Sequence, residues 1–248
     1  MADPVVLIHG AWQGSWAWAH LVPHLEAEGL EVHAVDLPGS GPETASAGDI
    51  TLETVLDHLD DVLWNIGRPV SLVGHSGGGI VASAAGERFR DRVTRIAYVA
   101  GMMLPSGMTF GDLQTELQGR KGFSQGISDR IVYSDDRLSS TVPIEEAAAI
   151  FFNDCPRDVA MAAAGKLTPQ AEGARAILPI LTPERFGTLP RLYVEATDDR
   201  SVVLLAQRRM QDLVPGATIR SLPTGHAPQL SAPELLSRAL APFLLGRK

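Results

Sequence analysis

Short β-branched runs alternate along the chain with longer stretches in which apolar residues recur every three or four positions. The runs are Val5–Ile8, Val32–Val35, Val70–Val73, Arg95–Val99, Leu192–Glu195 and Thr218–Leu222. They are nearly continuous in apolar character, which predicts strands buried on both faces, as in a parallel sheet covered by helices. Between the second and third runs, Leu52, Val55, Leu56, Leu59, Val62, Leu63 and Ile66 form one apolar helical stripe. Further helices are expected after Ser76, over Ser201–Leu213, and from Ala232 to Leu244. Turn signals stand at Asn65 to Pro69, before the third run, and at Pro215-Gly216, before the sixth.

The alternation breaks from about Met103 to Thr188. Pro105, Pro143, Pro156, Pro169, Pro179 and Pro183 fall in this stretch, no clear strand is visible, and helical pieces are expected at Ile144–Phe152 and Arg157–Lys166. The reading is an α/β core over residues 1–102 and 188–248, with residues 103–187 inserted as a helical lid.

Length and composition fit this picture. The 248 residues are 45% hydrophobic and 20% charged, ordinary values for a globular chain with a sizeable core. A net charge of −8 argues against nucleic acid or anionic membranes as partners. A single cysteine, Cys155, excludes an internal disulfide and a multi-thiolate metal site. The N-terminal "MADPVVLIHGAW" has no basic leader pattern, and no apolar run reaches the length of a membrane span. The expectation is a cytoplasmic protein.

Chemistry concentrates where strands give way to loops. "GHSGG" after the third run places Ser76 between Gly74 and Gly78, the G-x-S-x-G spacing of a nucleophile elbow. Bulky side chains two residues either side of the serine would clash in so tight a strand-to-helix turn. No G-K-[ST] follows, which excludes a phosphate loop of the Walker type. A serine needs a base to take its proton. Of seven histidines, His20, His24, His33 and His58 lie inside predicted elements. His75 should pack away from the nucleophile, and His9 should organise the first turn. His226 differs: it stands in "LPTGHAPQL", a loop just after the last strand, at the sheet edge that would also carry Ser76. The histidine needs a carboxylate partner. "VEATDDR" offers Glu195, still within a strand, and Asp198 and Asp199 in the following loop; spacing alone does not separate the two aspartates. For the oxyanion, the Gly77 amide and the Ala11 amide of "HGAWQGSW" are the candidate donors, with Gly10 allowing close backbone approach. Trp12 is placed to line the acyl site, whereas Trp16 and Trp18 should pack in the core. The lid flank supplies Met102, Met103, Phe110, Phe151 and Phe152 as an apolar pocket lining.

With "LIHGAWQGSWAWAHLVPHLEAEGLEVHAVDLPGSG", "LVGHSGGG", "NDCPRDVAMAAAGKLTPQ" and "TGHAPQL" in view, the chain resembles the α/β-hydrolase family nearly end to end. It is most similar to the branch of plant methylesterases, hydroxynitrile lyases and bacterial esterases. The resemblance implies a six-stranded parallel sheet in the order 2-1-3-4-5-6. It also implies a Ser76–His226–Asp199 triad, choosing the second aspartate, and an oxyanion hole of Ala11 and Gly77. Hydroxynitrile lyases of this kind carry a threonine where this chain has Gly10 and a lysine where it has Ala227. The resemblance therefore implies a serine esterase acting on a small-molecule ester, with no metal or organic cofactor and a possible homodimer. Lactone or C–C bond hydrolysis is the alternative within enzymes, and a non-catalytic ligand-binding protein the alternative outside them.

Overall fold

Val6 and Ile8 pack into one apolar cluster and Val5 and Leu7 into another, so the first strand is buried on both faces. The computed structural model describes residues 2–40 and 47–247. Among these residues the strands are β1 (Val5–Ile8), β2 (Val32–Val35), β3 (Val70–His75), β4 (Val93–Val99), β5 (Val132–Tyr133), β6 (Ser139–Thr141), β7 (Gln170–Ala171), β8 (Arg191–Ala196) and β9 (Ala217–Leu222). The first helices are α1 (Val22–Ala27), α2 (Leu52–Ile66), α3 (Gly78–Arg88), α4 (Phe110–Leu117) and α5 (Ile144–Phe151). There follow α6 (Arg157–Ala164), α7 (Glu172–Arg175), α8 (Leu204–Leu213), α9 (Pro228–Ser231) and α10 (Pro233–Leu244).

Six strands form one parallel sheet in the order β2-β1-β3-β4-β8-β9. This is the expected order, with the fifth and sixth expected strands now β8 and β9 because three short strands intervene. On the Val6/Ile8 face lie Val55, Leu59 and Leu63 of α2, Ile80 and Val81 of α3, and Met210 of α8. On the Val5/Leu7 face lie Leu25 of α1 and Leu236, Leu240 and Leu244 of α10. The stripe of α2 buries as its spacing predicts. Thr51 and Thr54 cap the helix reciprocally, which satisfies amides that the first turn leaves open.

Two expectations need correction. The two edge strands are not buried on both faces: in β9 Thr218, Ile219, Arg220 and Ser221 are exposed, and in β2 only Val35 is buried, because β9 and β2 close the two ends of the sheet. The stretch 103–187 is not free of strands either. It holds a small antiparallel sheet in the order β5-β6-β7, together with α4, α5, α6 and α7. Those strands are two or three residues long, too short for an alternating pattern to show. The inserted segment has its own apolar cluster, in which Ile127, Val142, Phe151, Phe152, Ala160 and Ala163 pack with Trp12 and Ala227 from the core loops. This joins the lid to the loops at the carboxyl ends of the strands, where ligands bind in open α/β sheets.

Candidate active site

Strand β3 ends at His75, and the chain turns so sharply at Ser76 that its φ is +52°, in the left-handed region a side chain rarely adopts. The turn is held by Ser76 N donating to the Val99 carbonyl at 3.3 Å and by Met102 N donating to the Ser76 carbonyl at 2.8 Å. A Cβ on Gly74 would stand 2.6 Å from the Gly78 carbonyl oxygen, and one on Gly78 would stand 2.6 Å from that of Ile8. Both flanking glycines are thus required by backbone approach, and the hydroxyl is carried out at the sheet's carboxyl edge.

His226 follows β9 in a buried loop, and its Nδ1 lies 2.8 Å from Asp199 Oδ2. Asp199 follows β8. Its Oδ1 accepts the amides of Ser201 at 2.7 Å and Val202 at 3.0 Å, and Gln207 Nε2 donates to Oδ2 at 3.3 Å. A carboxylate this buried needs such donors, and these fix its orientation toward His226. The neighbouring Asp198 is exposed and contributes its backbone, its amide donating to the Thr224 carbonyl at 3.0 Å. Glu195 is engaged elsewhere. Burial pushes its carboxyl up, but hydrogen bonds from Arg208, Ser221 and Gln211 hold it below the usual range.

The His226 ring is flanked by Phe151, centroids 5.4 Å apart, and by His75 at 4.7 Å. The Nε2 of His75 donates to the His226 carbonyl at 2.8 Å. Its Nδ1 lies 3.2 Å from the Gln13 side-chain oxygen. His9 bonds the Gly10 carbonyl through Nδ1 at 2.8 Å and accepts the Leu37 amide on Nε2 at 3.1 Å, tying the β1 and β2 loops together. Burial lowers the proton affinity of both His9 and His75, and for His75 the neighbouring His226 lowers it further.

These two neutral histidines make a stability prediction. Their affinity is depressed from an ordinary value of 6.5. Their contribution is therefore complete above that pH and is lost as the unfolded chain gains protons the folded one refuses. Thermal melts should show Tm falling between pH 7 and 5.5, with a shallower fall in His75→Gln; equal slopes in the two proteins would contradict it.

In the loop after β1, Trp12 has φ +60° and is fixed on three sides. Its amide donates to Gln170 Oε1 at 2.7 Å, its indole nitrogen donates to the Ser140 carbonyl at 3.2 Å, and its ring stacks on Phe151 at 6.1 Å. The amides of Ala11 and Gly77 have no acceptor among the described residues. The Ala11 nitrogen lies 3.8 Å from where a Cβ on Gly77 would stand, so the two donors are neighbours. A Cβ on Gly10 would stand 2.9 Å from Ser76 Cβ, so glycine is what lets this loop approach the elbow.

One cavity of about 360 Å³ collects these groups: Ser76, His226, Ala11, Gly77, Gly10 and Trp12 all line it, with Met102, Phe110 and Phe151. Two expected lining residues are absent from it. Met103 is fully buried in the core cluster of the Val6/Ile8 face, and Phe152 sits in the lid's own core, its ring edge-on to that of Phe151. Each is the sequence neighbour of a residue that does line the cavity, and adjacent side chains diverge. The sequence reading also missed Gln170, Gln114, Ile127, Ser128, Tyr133 and Arg175 on the cavity wall. Arg175 is held by Glu172 through a bidentate ion pair and by the Tyr133 hydroxyl. The Cys155 thiol lies outside this cavity, and burial and Asp154 push it up to about 11, which keeps it protonated at neutral pH. Among the described residues no cluster of three or more His, Cys, Asp or Glu could hold a metal ion, and no helix is long and apolar enough to cross a membrane.

A family model described as the alpha/beta hydrolase family matches residues 5–239. A pyrethroid hydrolase of Sphingobium wenxiniae is 30% identical over 251 residues, covering 96% of this chain and 86% of that protein. A putative chloroplastic methylesterase 14 of Arabidopsis thaliana is 30% identical over 244 residues, covering 95% of this chain and 70% of that protein. The crystal structure of a pyrethroid hydrolase from Sphingobium faniae JZ-2 superposes with a TM-score of 0.84 at 28% identity, covering 98% of both chains.

Proposed function

The chain belongs to the alpha/beta hydrolase family, and on that premise we propose that it is a carboxylic ester hydrolase, cleaving esters of small, largely apolar substrates through an acyl-enzyme on Ser76. What supports this reading most is the buried Asp199–His226 hydrogen bond opening on the same cavity as Ser76 and two unpartnered amides. Asp199 accepts a hydrogen bond from the proton on His226 Nδ1, which leaves Nε2 free to accept the Ser76 proton as the hydroxyl attacks the ester carbonyl. The tetrahedral oxyanion rests on the Ala11 and Gly77 amides; each such donor is typically worth ~10²–10³ in kcat. The alcohol leaves with the proton from His226, and water then enters by the same route and releases the acid. The relatives named above as a pyrethroid hydrolase and a methylesterase support ester cleavage as the reaction class.

The cavity wall supports a small, largely apolar substrate. Trp12, Met102, Phe110 and Phe151 offer apolar contact, and a volume of about 360 Å³ accommodates a short to medium acyl or aromatic arm. Turnover of p-nitrophenyl butyrate should exceed that of a p-nitrophenyl ester carrying an unpaired charge on its acyl arm, since burying the charge costs several kcal/mol. A preference for the charged ester, or for lactones over every linear ester, would replace this substrate assignment.

Cyanohydrin cleavage is not expected. Ala227, directly after the histidine, is fully buried in the lid cluster and places no cation near the ring. Gly10 leaves no room for a larger residue beside Ser76 without a shift. Incubation with mandelonitrile should release no cyanide above the uncatalysed background; release that disappears in Ser76→Ala would overturn the esterase reading in favour of a lyase.

A further inference from the structure

His226 is held by more than its ring. On its carbonyl side the backbone is pinned by His75 Nε2, from the nucleophile elbow. On its amide side the pin comes from the lid: the Gly225 amide donates to Asp154 Oδ2 at 2.6 Å, and the Ser231 hydroxyl donates to the same oxygen at 2.7 Å. The residue before Asp154 reaches the other catalytic loop, with Asn153 Nδ2 donating to the Asp198 carbonyl at 3.1 Å. The two loops are joined directly, Asp198 N donating to the Thr224 carbonyl at 3.0 Å. The approach is close. A Cβ on Gly225 would stand 2.5 Å from both Asn153 Oδ1 and Asp154 Oδ1, so a larger residue would displace the clasping side chains. Just upstream, Phe151 lies against the His226 ring with centroids 5.4 Å apart.

We propose that Asp154 is a positioning residue for catalysis, its carboxylate clasping the Gly225 amide so that the lid fixes the backbone on which His226 approaches Ser76. The inference rests on the reading of His226 as the base. Asp154 lines no part of the Ser76 cavity and is exposed on the lid's rim, so its role is exerted through His226 and not through substrate. Loss of the clasp lets the Gly225–His226 backbone drift, and catalytic geometry tolerates little drift. That predicts a defect in kcat with substrate binding preserved. If the carboxylate served only to fasten the lid, KM would rise instead.

The test compares Asp154→Ala, Asp154→Asn and Ser231→Ala in the full chain with p-nitrophenyl butyrate. Asp154→Ala should lower kcat about tenfold, with KM within about twofold and Tm nearly unchanged. Asp154→Asn keeps an oxygen for the Gly225 amide and should recover most of the loss, and Ser231→Ala should match the native protein. An unchanged kcat in Asp154→Ala, or a rise in KM that accounts for the whole defect, would overturn the proposal. Proton NMR gives a readout independent of turnover. The resonance of the proton between His226 Nδ1 and Asp199, identified by its loss in His226→Gln, should shift or broaden in Asp154→Ala. An unchanged resonance would also overturn the clasp, whereas a shifted resonance in a protein that turns over no ester would count against the esterase reading alone.

Discussion

Replacing Ser76 by alanine is expected to lower kcat for ester hydrolysis by at least ~10³-fold while the melting curve stays where it was. The size follows from the role: without the hydroxyl no acyl-enzyme forms, and what survives is the contribution of the oxyanion hole and of binding. The unchanged stability follows from the local structure. The bonds that hold the elbow run through the Ser76 backbone, to Val99 and Met102, and the side-chain oxygen takes no part in them. Alanine keeps a Cβ at the same φ of +52°, so the strain of the turn is neither relieved nor increased. Retention of more than about a tenth of the native kcat would move the nucleophile elsewhere.

Asp199→Asn should lower kcat by roughly 10²–10⁴-fold. The hydrogen bonds around the carboxylate say why. Oδ1 accepts two backbone amides, from Ser201 and Val202, and an asparagine must keep its oxygen there to avoid two buried orphan donors. Its NH₂ group is then turned to His226 Nδ1, where it can only donate. That selects the tautomer with the proton on Nε2, which cannot take the proton of Ser76. Asp198→Asn should stay within about twofold of the native rate, because Asp198 contributes its backbone amide and carbonyl and its side chain is exposed. The kcat of the two variants, measured side by side, checks this; the reverse order would shift the acid by one residue.

The sheet was legible because its central strands are buried and all its strands are rich in apolar or β-branched residues, and the elbow because its glycines are demanded within five residues of one another. His226 could be found from its place after the last strand. The carboxylate beside His226 was harder to pick out. Asp198 and Asp199 share one loop, and what distinguishes them is which side chain turns inward onto Gln207 and the Ser201 and Val202 amides, a tertiary fact that spacing does not carry. The cavity wall was less legible still. Gln170 reaches Trp12 across 158 positions, and Gln13 reaches His75 across 62. Lid strands of two or three residues leave no period to read. Met103 and Phe152 were misplaced because an apolar residue beside a pocket and one in the core beneath it look alike in sequence.

The central claim is that a covalent ester forms on Ser76, and trapping it is the most direct measurement. Native protein treated with a fluorophosphonate, digested and analysed by mass spectrometry should carry one adduct, on the peptide that contains Ser76. The adduct should be absent from Ser76→Ala and should form far more slowly in His226→Ala, where no base takes the proton. Labelling of another residue, or undiminished ester hydrolysis in protein that the reagent leaves unlabelled, would contradict the account.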